Sequence, residues 1–80
     1  MRILVFGSTG MLGHNIIRYL QTQSCVDVEF TVRNSNKQDT CRKIFGKQAR
    51  FIFNGNNPKS ALDIISKYEP DFCINCLGII

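Results

Sequence analysis

"VFGSTGMLG", residues 5–13, joins an apolar run to three glycines that recur at every third position. The apolar run begins at residue 2 ("RILVF", 2–6) and is continuous, as in a strand that is buried on both faces. Beyond the glycines, apolar side chains recur every four residues, the spacing of one helical stripe, at Leu12, Ile16 and Leu20. The stretch therefore predicts a strand over 2–6, a glycine-rich turn, and a helix over about 10–21.

Further strands are predicted at three later positions. Residues 27–32 ("DVEFTV") alternate apolar and polar side chains, and residues 50–53 ("RFIF") are a short apolar run. A fourth strand is predicted over about 72–77, within "DFCINCLGII". Helical segments separate these strands, so strand and helix alternate throughout the sequence.

Two of the helices are bounded by capping and stop residues. The first, over 35–45, has Ser35 as its predicted cap and Gly46 as its stop. The second is predicted to have Asn57 as N-cap and Pro58 as its first residue, and to end before Pro70. Its predicted apolar stripe consists of Ala61, Ile65 and Tyr68.

The alternation predicts the fold class and the size of the unit. Strands that alternate with helices through short connections form a parallel sheet with helices on both faces, an α/β fold of the Rossmann type. With 80 residues, 44% of them hydrophobic, the sequence suffices for one small domain. A core of this size is marginal unless something else covers it.

The three glycines have distinct roles in such a fold. Gly7 would permit the tight turn, Gly10 would let the backbone approach a phosphate, and Gly13 would let the helix pack close to the sheet. The free N–H groups and the positive end of the helix would then face a pyrophosphate. Glycines at this spacing also occur in simple turns, and their place between a strand and a helix is what favours dinucleotide binding.

The end of the second strand bears on the type of dinucleotide. Arg33 follows that strand in "TVRNSN", and the first carboxylate after it is Asp39. An acidic residue there would hold a ribose 2′-hydroxyl, whereas an arginine suits a 2′-phosphate because its donors form a planar fork. The sequence favours NADP as cofactor and leaves NAD open, as it does the alternative that Arg33 is merely an exposed residue at a strand end.

Composition and charge exclude several other classes of protein. The formal net charge is +4, but the basic residues are scattered and accompany no recognition motif, so we expect no nucleic-acid partner. No apolar run reaches the roughly 18 residues of a membrane helix, and the apolar segment before Gly7 is too short for a signal peptide. We therefore expect no membrane partner, a cytoplasmic location and four reduced cysteines.

Two other features carry alternative interpretations. Cys73-x-x-Cys76 has the spacing of a redox or zinc motif, but three positions along a strand place the side chains on opposite faces, which favours core filling. His14 follows the last glycine and could reach a phosphate, although a helix-packing or solvent-facing role is more ordinary. We expect no metal site and no catalytic residue in this sequence.

The stretches "FGSTGMLGH" and "PDFCINCLGII" resemble the extended short-chain dehydrogenase/reductase superfamily, and within it the dTDP-4-dehydrorhamnose reductase-like branch of sugar-nucleotide enzymes. The resemblance spans essentially the whole sequence. It implies an NAD(P)-dependent enzyme with a nucleotide-sugar substrate, and it allows a homo-oligomer. The implied chemistry is hydride reduction of a 4-keto sugar of the kind used in dTDP-rhamnose biosynthesis.

The resemblance also implies which residues contact the cofactor. Backbone contacts are expected from Gly7, Thr9, Gly10, Met11 and Leu12, and a contact to the 2′-phosphate or ribose from Arg33. Cys76, Leu77 and Gly78 are expected against the ribose near the nicotinamide. Asn54 or Asn56 is expected near the adenine, where such proteins often have an aspartate.

The catalytic residues of the resembled family are absent from this sequence. Its Tyr-x-x-x-Lys dyad has no counterpart, because Gln23 and Phe72 stand four positions after the two tyrosines. We therefore expect residues 1–80 to be the N-terminal part of a larger doubly wound domain, holding its first four strands and neither the rest of the domain nor a substrate domain. A non-catalytic dinucleotide-binding or regulatory subunit, and an epimerase or dehydratase of the same superfamily, remain the alternatives.

Overall fold

The structure, a computed structural model, describes residues 1–55 and 58–77. Strands and helices alternate along the chain as the sequence predicts. Within these residues the strands are β1 (Arg2–Phe6), β2 (Asp27–Val32), β3 (Phe51–Ile52) and β4 (Phe72–Asn75). The three α-helices are α1 (Met11–Gln21), α2 (Gln38–Phe45) and α3 (Pro58–Tyr68), and a 3-10 turn over Ser35–Lys37 precedes α2.

The strands form one parallel sheet in the order β3-β2-β1-β4. β1 lies in the interior, where Ile3 is opposite Val28 of β2 on one side and Phe72 of β4 on the other. Because β2 and β4 flank β1 on opposite sides, the order of strands reverses direction at β1. This is the order of the first four strands in a Rossmann sheet, and it confirms the predicted fold class.

A hydrophobic core covers each face of the sheet. On one face Ile17 of α1, together with Cys41 and Phe45 of α2, packs with Val28 and Phe30 of β2. On the other face the α3 residues Ile64 and Tyr68 pack with Leu4, Phe6 and Phe53. Successive residues of β1 thus enter opposite cores, which explains the continuous apolar run of that strand. The helices lie on both faces, as predicted.

The predicted stripes of α1 and α3 face the cores except at Leu12: Tyr68 is buried, and Ile16, Leu20, Ala61 and Ile65 pack against the cores. Leu12 is 62% exposed, and the buried residues of α1 are Gly13 and Ile17. Since Gly13 has no side chain, α1 approaches the sheet on the glycine side and turns Leu12 away. In α3, Ile64 is buried, whereas the predicted Ile65 only borders the core.

Several element boundaries also differ from the prediction. The residue that caps the turn before α2 is Asn34, whose Oδ1 accepts a hydrogen bond from the backbone N–H of Asn36, and not Ser35. β3 and β4 are shorter than predicted, although Phe53 still donates to the Val32 carbonyl and Cys76 to the Phe6 carbonyl, both at 2.8 Å. The predicted N-cap Asn57 lies outside the described residues.

The strand β4 is the more exposed edge of the sheet. Phe72 is 58% exposed, and Cys73 is also exposed, so the expectation that Cys73 fills the core is wrong. Cys76 is half-buried and packs against the core beneath α1.

Within the described part of the chain, no helix is long and apolar enough to cross a membrane.

Candidate functional site

A cleft of about 530 Å³ lies at the carboxyl ends of the four strands. Each strand contributes lining residues through the segment that follows it. Gly7 to Gly10 follow β1, Arg33 and Lys37 follow β2, Phe53 to Gly55 follow β3, and Cys76 and Leu77 follow β4. The volume is within the range of small-molecule sites, and a crevice where the strand order reverses is the usual ligand position in an open α/β sheet.

Two of the three glycines are required by the protein's own packing. Gly7 has φ +93°, and a Cβ there would lie 2.7 Å from the carbonyl oxygen of Cys76. A Cβ on Gly13 would lie 1.9 Å from the carbonyl oxygen of Gly7, a severe clash. Gly7 therefore allows the chain to turn after β1. Gly13 allows the first turn of helix α1 to pack directly against the Gly7 carbonyl.

The glycine turn is fastened to β2 through Thr31. The Gly7 N–H donates to Thr31 Oγ1, and the Ser8 N–H donates to the Thr31 carbonyl, both at 3.1 Å. Thr31 and Ser8 are both fully buried, and Ser8 Oγ lies 3.6 Å from Cys41 Sγ. The backbone N–H groups of Gly7 and Ser8 are thus occupied by the protein, and Thr9 and Gly10 follow them along the wall of the cleft.

Gly10 differs from the other two glycines because the fold does not exclude a side chain there. Its φ of −73° suits any residue, and an added Cβ would approach Cys76 O no closer than 3.9 Å. Gly10 is the N-cap residue of α1, and among the described residues no side chain caps this helix end. No acidic residue occurs in the first turn of the helix. The positive end of the helix dipole and its open N–H groups therefore meet the cleft directly.

The other side of the cleft carries two cations. Arg33 and Lys37 both line it, and no Asp or Glu stands among its described lining residues. The turn capped by Asn34 brings the chain back so that Lys37 reaches the same cleft as Arg33. The first acid that follows Arg33 in the sequence, Asp39, is paired with Arg42. An anionic ligand would therefore meet positive potential at two places, the start of α1 and this cationic side.

The structure brings together most of the residues predicted to contact a cofactor. Those lining the cleft are Gly7, Thr9, Gly10, Arg33, Asn54, Cys76 and Leu77. Met11 and Leu12 lie in the first turn of α1, do not line the cleft, and expose 83% and 62% of their surface. Gly78 and Asn56 lie outside the described residues.

Sequence reasoning missed Thr31 and Lys37. Thr31 sits on the polar side of the alternation in β2, a position that predicts exposure, so nothing local reveals that its hydroxyl reaches the glycine turn. Lys37 could have been found, because it follows Arg33 by four residues within a turn-forming segment.

The surroundings of His14 and Cys76 indicate what each side chain does near the cleft. His14 packs edge to face on Phe45, with ring centroids 5.7 Å apart, which supports a helix-packing role. Burial raises the pKa of the Cys76 thiol, so this lining residue is protonated and weakly nucleophilic at neutral pH. In residues 1–55 and 58–77, no group of three or more His, Cys, Asp or Glu side chains could hold a metal ion.

Comparison with known proteins gives one match. Residues 3–80 match the NAD dependent epimerase/dehydratase family, which covers nearly the whole chain. No individual curated protein and no solved structure matches the chain.

Proposed function

Because the chain belongs to the NAD dependent epimerase/dehydratase family, we propose that its cleft binds NADP as part of an enzyme that acts on nucleotide sugars. Members of this family bind a nicotinamide dinucleotide. The observation that carries the proposal for this chain is the convergence of all four strand ends on one cleft, which pairs an uncapped helix start with two cations. Both features favour a ligand with several phosphates.

The pyrophosphate is assigned to the start of α1. The lack of a steric need for glycine at position 10 supports this assignment, since the space beside Gly10 is then kept for the ligand. The N–H groups of Thr9, Gly10, Met11 and Leu12 are the proposed donors, because those of Gly7 and Ser8 already donate to Thr31. The exposed side chains of Met11 and Leu12 take no part in this role.

The 2′-phosphate of NADP is assigned to the cationic side. Arg33 supplies a planar fork of donors, and Lys37 adds a second positive charge to the same cleft. An NAD-specific site would instead place a carboxylate near the ribose 2′-hydroxyl, and none stands among the described lining residues. This charge pattern supports NADP as the preferred cofactor.

The remaining lining residues are assigned by position. Asn54, which follows β3, is proposed to lie near the adenine, and Cys76 and Leu77, which follow β4, near the nicotinamide ribose. Gly78 is also proposed to contact the nicotinamide ribose. The nicotinamide ring would supply or accept the hydride, and the residues of this chain would hold and orient the dinucleotide.

We propose reduction of a 4-keto nucleotide sugar as the reaction, on the resemblance of "FGSTGMLGH" and "PDFCINCLGII" to the dTDP-4-dehydrorhamnose reductase-like branch. The catalytic Tyr-x-x-x-Lys would then be supplied from outside residues 1–80. A non-catalytic dinucleotide-binding subunit is the second candidate, favoured by the absence of the dyad from this sequence. Sequencing the coding region around these 80 codons distinguishes the two, because only the enzyme requires the dyad.

The cofactor assignment is tested by substituting Arg33→Ala in the intact protein. Loss of a charge-assisted hydrogen bond to the 2′-phosphate costs about 1.5–3 kcal/mol, or roughly ten- to hundredfold in NADP affinity. NAD affinity should hardly change. Lys37→Gln should weaken NADP binding by less than about fivefold, since an exposed ion pair contributes at most about 1 kcal/mol.

Calorimetric titration of both cofactors at one fixed salt concentration measures these effects. Arg18→Ala is the matched control, since Arg18 is exposed on α1 and does not line the cleft. An unchanged ratio of NADP to NAD affinity in Arg33→Ala would reject the assignment of Arg33.

A further inference from the structure

We infer that Thr31 is a positioning residue of the dinucleotide site, acting on the cofactor through the glycine turn. The inference rests on the proposed function, because the turn that Thr31 holds is the proposed phosphate-binding segment. Thr31 does not line the cleft, and its effect on a ligand would be indirect.

The contacts of Thr31 fix the first peptide units of the turn. Its Oγ1 accepts from the Gly7 N–H and its carbonyl from the Ser8 N–H, both at 3.1 Å. Two successive N–H groups are thus held by one residue of the neighbouring strand. This determines the direction in which the following N–H groups leave the turn.

The hydroxyl is the part of Thr31 that a hydrophobic residue of the same shape could not replace. Thr31 is fully buried, whereas the core of β2 is otherwise filled by Val28, Phe30 and Val32. A valine at position 31 would keep the volume and leave the Gly7 N–H without its acceptor. Gly7 is half-buried, and an N–H that loses its acceptor there is costly, so the turn would shift to find another partner.

Thr31 also connects the two parts of the cleft that are proposed to bind phosphate, the glycine turn and the cationic side. Thr31 holds the glycine turn on one side, and two residues later in the chain Arg33 lines the cationic side. Hydrogen bonds that hold a site in its binding geometry increase affinity by reducing the ordering that the ligand must impose. We expect Thr31 to affect the shared pyrophosphate contact, and therefore NADP and NAD equally.

The experiment compares Thr31→Val, Thr31→Ser and the control Thr40→Val in the intact protein. Thr40 is exposed on α2 and does not line the cleft. Thr31→Val should weaken NADP and NAD binding by about tenfold each, with the ratio of the two affinities unchanged. Thr31→Ser, which keeps the acceptor, should stay within about twofold of wild type, as should Thr40→Val.

Calorimetric titration gives the affinities, and amide hydrogen exchange at Gly7 reports whether its N–H has lost its acceptor. If the wild-type protein binds neither cofactor, the proposed function fails. If the wild type binds and folded Thr31→Val binds equally well, or shifts only the NADP to NAD ratio, this inference is overturned. Should Thr31→Val not fold, Thr31→Ser decides: wild-type affinity with a protected Gly7 amide supports the role, and a tenfold loss overturns it.

Discussion

The two ends of the parallel sheet use their polar groups in opposite ways. At the amino end, the Arg2 N–H donates to Asp71 Oδ2 and Arg2 Nη1 donates to the Tyr68 carbonyl, both at 2.8 Å. The Tyr68 hydroxyl donates to the Asp27 carbonyl at 3.0 Å. The guanidinium groups of Arg2 and Arg50 each lie 5.5 Å from the centre of the Tyr68 ring. This end is closed by contacts of the protein with itself.

The carboxyl end is open and keeps polar groups directed at a cleft. The start of α1 has no side-chain cap among the described residues, and Arg33 and Lys37 line the cleft. Both ends belong to the same four strands, so the difference arises from the connecting segments. The comparison indicates that the amino end contributes to stability, whereas the carboxyl end is where we propose that the ligand binds.

The largest expected effect on folding stability is that of Gly13→Ala. It sharpens the comparison, because Gly13 lies at the open end of the sheet and yet is needed for the fold. A Cβ there would lie 1.9 Å from the Gly7 carbonyl oxygen, and backbone cannot move aside as the end of a flexible side chain can. We expect a loss of more than about 4 kcal/mol in the free energy of unfolding. Thermal or denaturant unfolding of the intact protein measures it.

Gly46→Ala is the control for Gly13→Ala. Gly46 ends α2 with φ +77°, and an added Cβ would meet none of the described residues within 4 Å. Only the cost of the left-handed conformation remains, about 1–2 kcal/mol. Equal destabilisation by the two variants would show that the close approach of Gly13 to Gly7 does not matter.

A smaller effect is expected from Tyr68→Phe at the closed end. The variant loses the hydrogen bond to the Asp27 carbonyl, which contributes about 1 kcal/mol, and keeps the buried ring. Cofactor affinity should not change, since the residue lies at the end of the sheet opposite the cleft. An altered affinity for NADP would contradict the separation of the two ends.

The pH dependence of Tyr68→Phe adds a second readout. Burial, followed by the negative charges of Asp27 and Glu29, raises the pKa of Tyr68 from 10.0 to about 12. The folded state therefore holds the phenol proton more tightly, and the resulting stability is complete below pH 10 and is lost as the pH rises to about 12. Between these values the stability of wild type should fall more steeply than that of Tyr68→Phe, as measured by denaturant unfolding.

The sequence predicted the fold well because its strongest signals are local. The continuous apolar run in β1 and the apolar–polar alternation in β2 each indicate a buried strand within a few residues of sequence. Both strands form as expected. The error at Leu12 has a steric origin: the glycine face of α1 approaches the sheet, and a hydrophobic stripe contains no information on how close the helix lies.

The candidate site was predictable where a motif marks it and not where distant residues meet. The glycines and Arg33 stand at recognisable spacings, and the structure places Gly7, Gly10 and Arg33 in one cleft. Thr31 contacts Gly7 across 24 residues of sequence, so its role depends on the register of two strands and cannot be inferred from either strand alone.

The most direct test of the central claim is calorimetric titration of NADP into the intact wild-type protein and into Gly10→Val. The variant should fold, because the nearest atom that an added Cβ at Gly10 meets in another segment of the described chain is Cys76 O, at 3.9 Å. The branched side chain would occupy the proposed phosphate position and remove more than one hydrogen bond, so affinity should fall by more than about a hundredfold. A folded Gly10→Val protein that binds NADP as tightly as wild type would contradict the assignment of this end of the sheet to the dinucleotide.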